Sequence, residues 1–285
     1  MLKDEPGTGE TQSAASSPWD AWCREYEAQF SAWVESRVAG RPDRVSLADM
    51  ICKVIKPSGE PSSAAVERLH AASQSDVKWL VGALCDERRK WFVADLARRA
   101  QFLPDDICEP LLRASVEELS PEFNRRFVEP CKRVFGARRV NEYLLAVLES
   151  GDDFHKAGAV CALYWAGVSV SYRFPLTWPL RREDANQEEL AAYEALMDLW
   201  ERKQKLFLET FVWNPNLTVR RCLLGRLDLD ESAYPDSHKP LVARAIQIAR
   251  DHPDDYIRQQ LQLHLGETSM IPALPAREPN PRATS

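Results

Sequence analysis

One short segment recurs along the chain, and it constrains the fold more than any other feature. Residues 214–220 (Asn-Pro-Asn-Leu-Thr-Val-Arg) align with residues 252–258 (His-Pro-Asp-Asp-Tyr-Ile-Arg). Residues 120–126 fit the same frame, and residues 150–156 fit it with glycine for proline and lysine for arginine. A capping side chain, then proline, then asparagine or an acidic residue is the order typical of a helix N-terminus. We therefore predict a helix start at each segment, with proline at the first helical position.

Apolar residues recur at three- and four-residue spacing over most of the chain, which predicts helices. The first predicted helix, residues 18–40, carries an aromatic stripe made of Trp19, Trp22, Tyr26, Phe30 and Trp33. Residues 56–61 form a turn-rich connector, and the Ser62-Ser63 that follows is a candidate helix cap. From residue 76 the predicted helices come in pairs: 77–85 with 89–101, 106–118 with 122–135, 138–148 with 153–166, 187–211 with 216–227, and 239–250 with 254–265.

The recurring segments resemble those of the HEAT-repeat (armadillo-like) family, in which the second helix of each pair opens with Asp-Pro-Asp/Glu-x-x-Val-Arg. The resemblance covers residues 76–265 and implies an all-α, right-handed solenoid of about five helical pairs. The family's leading aspartate is replaced here by Asn214, His252, Ser120 and Ser150, and the basic positions are unevenly spaced. The alternative to a solenoid is a helical bundle whose caps happen to repeat.

These patterns divide the chain into four parts. Residues 1–17 are polar and predict a disordered N-terminal tail. Residues 18–61 form an N-terminal helical cap and connector, residues 62–265 form the HEAT-like helical repeats, and residues 266–285 form a proline-rich C-terminal tail.

Charge and cysteine usage exclude several classes of protein. The net charge of −6 disfavours nucleic acid as a partner, although it does not exclude it. The longest charge-free run, residues 157–172, is shorter than the roughly 20 residues of a membrane span and predicts a buried helix followed by a loop. No signal peptide is evident and no pair among the seven cysteines has CxxC spacing, so we expect a cytoplasmic protein with no membrane, metal or cofactor partner.

One candidate binding surface lies on the predicted helix 122–135. Arg125, Arg126, Lys132 and Arg133 sit as two pairs seven residues apart, so they share one helix face. They could form a basic groove over residues 88–133. The alternative is a solvated helix face, because acidic residues at i,i+4 spacing accompany them.

The long connection at residues 168–186 is the second candidate. It concentrates aromatic residues and prolines where a short turn between helices is expected. It is either a docking loop or a plug that covers an irregular junction. The residues selected for binding are Tyr172, Arg173, Phe174 and Trp178.

No standard catalytic motif is present: the sequence contains no GxSxG, P-loop, GxGxxG or HExxH. We therefore predict a non-enzymatic binding or scaffold protein whose partner is another protein. The alternative is a nucleic-acid-binding HEAT-like protein of the alkylpurine DNA glycosylase type, with Arg125, Arg126, Arg133 and Trp178 in a cleft. No catalytic motif of that family aligns with the chain, so the alternative rests on analogy of fold.

Overall fold

The computed structural model describes residues 17–39, 57, 59–173 and 181–266. Every regular element in these ranges is a helix, apart from an isolated antiparallel bridge between Tyr172 and Ala185. The all-α prediction is therefore confirmed for the described residues. The chain divides into two compact units, Met1–Ala114 and Ser115–Ser285. Phe174, Trp178 and most of both predicted tails lie outside the described residues.

Unit 1 contains an aromatic N-terminal helix followed by short helices. The helices are α1 Pro18–Val38, α2 Ser63–His70, α3 Gln74–Leu84, α4 Arg89–Arg99 and α5 Cys108–Val116, with a 3₁₀ turn at Asp105–Ile107. Ser62 caps α2 through a hydrogen bond from the Ala65 amide, as the sequence indicated. The last helix, α5, continues two residues into unit 2.

The core of unit 1 forms where α1 packs on α4. Trp19 and Tyr26 are buried, as the aromatic stripe predicted, but Trp33 is 37% exposed because Val34 occupies the buried position in that turn. The Tyr26 hydroxyl donates to Asp95 Oδ2 over 2.7 Å. This bond satisfies a buried carboxylate, whose isolation inside a core would be costly.

Unit 2 arranges its helices in two rows. Its helices are α6 Pro121–Phe135, α7 Ala137–Ser150, α8 Asp153–Ala166, α9 Gln187–Glu194, α10 Met197–Trp213, α11 Leu217–Leu224, α12 Lys239–Arg250 and α13 Asp255–His264. The first row contains α7, α10 and α12, and each contacts the next; the second row contains α6, α8, α11 and α13, which also contact in that order. Helices paired in sequence contact across the rows: α7 with α8, α10 with α11, and α12 with α13.

Helix α8 is the buried helix that the charge-free run predicted, and it contacts α6, α7 and α11. Its small residues Ala157, Gly158 and Ala162 are buried. At Gly158 an added Cβ would lie only 1.7 Å from the Val116 carbonyl oxygen. Glycine therefore allows two backbones to approach at this point.

The recurring segments lie at helix starts, but in three of them the N-cap is two residues later than the predicted capping position. Asn216, Asp254 and Asp152 are the N-caps, so Pro215 and Pro253 precede the helices rather than open them. The Asn216 side chain accepts from the Thr218 and Val219 amides. An Asn or Asp oxygen at this position satisfies free N–H groups, so it sets the start of the helix. Only the segment at Ser120 has proline at the predicted first helical position.

The predicted helix 187–211 is two helices, α9 and α10, with a break at residues 195–196. No glycine or proline marks the break. Arg138 of α7 binds both carboxylate oxygens of Asp198, over 2.8 and 3.0 Å, and also donates to the Ala195 carbonyl. This tertiary clamp stabilises a carbonyl that a continuous helix would have satisfied internally.

Candidate binding face

Arginines and aromatic rings alternate across the second row of unit 2. Arg125 of α6 lies 4.7 Å from the ring centre of Trp165 in α8. The adjacent Tyr164 packs edge-on against Trp165, and Arg226, just after α11, lies 4.1 Å from the Tyr164 ring. These contacts have the geometry of cation–π interactions.

The series continues to the last helix of the row. Arg221 of α11 lies 5.7 Å from the ring of Tyr256 in α13, and it also forms an ion pair with Asp254. Tyr164 and Tyr256 remain 53% and 44% exposed. We call this surface the arginine–aromatic face; it comprises Arg125, Tyr164, Trp165, Arg221, Arg226 and Tyr256.

Three residues of the face, Arg221, Arg226 and Tyr256, line an open cavity of about 660 Å³. The thiol-bearing residues Cys161 and Cys222 line the same cavity. Arg226 has no carboxylate within salt-bridge distance among the described residues. Its guanidinium therefore offers hydrogen-bond donors to a group from outside the chain.

A second, smaller cavity of about 210 Å³ lies on the other side of Arg226 and contains Lys203. The Lys203 ammonium lies 3.7 Å from the ring centre of Trp200 and 5.9 Å from that of Phe207. Burial, with a smaller contribution from the charge of Arg226, lowers the pKa of Lys203 to about 8. The buried Trp200 indole N–H has no hydrogen-bond acceptor in the described part of the chain.

The predicted basic residues of α6 are largely engaged within the protein. Lys132 donates to the carbonyls of Trp165 and Gly167, over 2.8 and 2.9 Å, and burial lowers its pKa. Arg125 pairs with Glu129 at i,i+4 spacing. Arg126 and Arg133 also interact with other groups of the chain. Of the four, Arg125 is the one that the structure brings to the arginine–aromatic face.

Residues near the two ends of the long connection are joined by backbone contacts. Tyr172 bridges to Ala185, and the Arg173 amide donates to the Asp184 carbonyl over 2.8 Å. Tyr172 is half-buried and Arg173 is exposed. Because Phe174 and Trp178 lie outside the described residues, their docking role stays a prediction.

Five residues of this face were not among those that the sequence predicted for binding: Tyr164, Trp165, Arg221, Arg226 and Tyr256. A partial signal was available, because Tyr256 lies within the recurring segment 252–258 and Arg221 directly follows segment 214–220. The arginines of the recurring segments have a different role. Arg220 of α11 donates to the Phe211 carbonyl, and Arg258 of α13 donates to the His252 carbonyl. Each of these carbonyls precedes the helix that carries the arginine.

No family model, curated protein or solved structure matches the chain. Within the described residues, no helix is long and apolar enough to cross a membrane, and no cluster of three or more potential metal ligands occurs.

Proposed function

We propose that unit 2 is a HEAT-like helical array that binds a protein partner through its arginine–aromatic face. The two rows of helices, in which paired helices stack on the next pair, support the array. Solenoids of this kind commonly bind along the surface formed by their second helices. The scaffold function that the sequence predicted is retained here as part of this proposal.

The observation that carries the proposal is the alternation of arginine and aromatic side chains across four successive helices. Tyr, Trp and Arg dominate the energetics of protein interfaces. Rings that are already ordered by cation–π contacts lose little conformational freedom on binding. Since Arg226 is not neutralised within the described residues, the partner segment is expected to present a carboxylate beside an apolar or aromatic side chain.

Site-specific photo-cross-linking in cells tests the proposal. A photo-reactive benzoyl-phenylalanine at Tyr164 should cross-link a discrete protein, whereas the same residue at Glu201, an exposed position of the first row, should not. Adding Arg226→Glu to the protein that carries the photo-reactive residue at position 164 should abolish the cross-link. The matched variant Arg202→Glu, which changes an exposed arginine of the first row, should preserve it.

The outcomes separate the two functional classes. Equal cross-linking from Tyr164 and Glu201 would contradict the proposed face. Nucleic acid in the Tyr164 cross-link, in place of protein, would support the alternative of a nucleic-acid-binding protein. Circular dichroism of each variant checks that the helices are retained.

The long connection is a second candidate element of this interface, because it follows α8 directly after Trp165 and Ala166. Phe174→Ala with Trp178→Ala should reduce the Tyr164 cross-link if the connection docks the partner. If it is only a plug, the same variant should lose several kcal/mol of stability and keep the cross-link.

A further inference from the structure

Two cysteines that lie far apart in sequence meet between neighbouring helices of unit 2. Cys161 of α8 and Cys222 of α11 place their sulfur atoms 3.7 Å apart. Both residues line the cavity of about 660 Å³, so a small molecule can approach them from outside.

The surroundings make the two thiols unequal. The Cys161 thiol donates a hydrogen bond to Cys222 Sγ, and this bond, assisted by the charge of Arg226, lowers the pKa of Cys222 to about 7 although partial burial opposes it. The same contact, together with deeper burial, raises the pKa of Cys161. Cys222, which is also the more exposed residue, is therefore the nucleophile of the pair.

We infer that Cys161 and Cys222 form a redox-active dithiol whose substrate is a low-molecular-weight disulfide. The inference stands independently of the proposed function. Disulfide formation brings the sulfur atoms from 3.7 Å to about 2.05 Å.

The reaction proceeds by two thiol–disulfide exchanges. The Cys222 thiolate attacks one sulfur of the small disulfide, forming a mixed disulfide and expelling one thiolate, which takes the proton of Cys161. The Cys161 thiolate then attacks Cys222 Sγ, forms the Cys161–Cys222 bond and expels the second thiolate, which is protonated by solvent. The protein dithiol loses two electrons, and the small disulfide gains them as two thiols.

The test uses glutathione disulfide and the full chain. After incubation at neutral pH and alkylation of free thiols, peptide mapping should find Cys161 joined to Cys222, and dithiothreitol should reverse the bond. Cys161→Ser should accumulate a stable glutathione adduct on Cys222, because the resolving thiol is absent. Cys222→Ser should leave Cys161 unmodified over the same interval.

Cys85→Ser is the matched control, since Cys85 is an exposed cysteine outside the pair. It should form the Cys161–Cys222 disulfide at the wild-type rate. We expect Cys222 of the wild-type protein to react faster at pH 7 than an ordinary cysteine peptide, since the hydrogen bond from Cys161 and the charge of Arg226 favour its thiolate.

The wild-type peptide map decides the inference even if a cysteine variant fails to fold. Unmodified Cys161 and Cys222 in the folded wild-type protein, at a time when the peptide has reacted, would overturn it. So would a stable glutathione adduct on wild-type Cys222 that never converts to the internal disulfide.

Discussion

The carbonyl oxygen of Val116 lies 1.7 Å from the point where a side chain at Gly158 would begin. Backbone atoms cannot rotate away as a flexible side chain can, so a methyl group here must force α8 away from residue 116. We predict that Gly158→Ala lowers the free energy of unfolding of unit 2 by about 2 to 3 kcal/mol, the usual cost of overpacking.

Urea unfolding monitored by circular dichroism measures this effect. Gly82→Ala is the matched control, because Gly82 lies within α3 and an added Cβ meets no atom within 4 Å. Alanine there should stabilise the protein by about 0.5 to 1 kcal/mol, since it favours helix over glycine. A Gly158→Ala protein as stable as wild type would contradict the close approach.

A second prediction concerns Asp76, which joins α1 to α3 in unit 1. Burial alone would raise the pKa of this carboxyl, but hydrogen bonds from Ser73, Arg68 and Trp19 outweigh it and hold the pKa well below its usual range. A depressed folded-state pKa stabilises the protein above the unfolded value of about 3.9, and this stabilisation is lost as the pH falls further. Asp76→Asn should cost about 2 to 3 kcal/mol at pH 7.

The difference in unfolding free energy between Asp76→Asn and wild type should shrink between pH 4 and pH 2. Asp236→Asn, which changes a carboxylate whose side chain is 94% exposed, should leave the pH profile of stability unchanged. A constant Asp76→Asn deficit across this range would show that the carboxylate charge does not stabilise the fold.

The third prediction concerns Lys203, whose folded-state pKa of about 8 lies below the ordinary value of 10.5. The unfolded chain then binds more protons between these pH values, so wild-type stability should rise as the pH increases from 8 to 10. Lys203→Met removes the buried charge and keeps the apolar stem. It should stabilise the protein by about 1 kcal/mol at pH 7, because lost cation–π attraction partly offsets the relieved desolvation.

Thermal unfolding at pH 7 and pH 10 checks this expectation. The advantage of Lys203→Met should be smaller at pH 10, where wild-type Lys203 is neutral. Lys205→Met, a change at an exposed lysine paired with Glu209, should show no such dependence on pH. A destabilised Lys203→Met protein at pH 7 would mean that the cation–π contacts outweigh desolvation.

The fourth prediction addresses nucleic acid. Lys132 caps backbone carbonyls and Arg125 pairs with Glu129, so α6 offers fewer cations to phosphates than its sequence indicates. We expect no submicromolar binding of duplex DNA at physiological salt. Fluorescence anisotropy of a labelled duplex measures the affinity. Tight binding that weakens steeply with salt and disappears in Arg126→Glu with Arg133→Glu would reverse this conclusion.

Much of the secondary structure could be predicted from the sequence, because helix signals are local. Apolar periodicity located α1, α6, α7, α8, α12 and α13 to within two residues at every end. The break before α10 could not be predicted, since the residue that stabilises it, Arg138, lies 57 residues from Ala195. The helix propensities of the residues near the break do not indicate this tertiary contact.

The candidate site was harder to predict for the same reason. The contact of Arg226 with Tyr164 and that of Cys161 with Cys222 depend on how α8 packs against α11. Neither pair has a characteristic spacing in the sequence. The basic residues of α6, in contrast, were conspicuous in sequence, yet a lysine with a long apolar stem can end on a carbonyl inside the fold.

The bridge between Tyr172 and Ala185 brings together two positions that lie between α8 and α9. The hydrogen bond from the Arg173 amide to the Asp184 carbonyl, over 2.8 Å, joins the next two residues inward. Since these positions are already close together, lengthening the segment between them costs only about 0.6 kcal/mol of closure entropy per doubling of length. An epitope tag inserted between residues 173 and 184 therefore meets a low entropic cost.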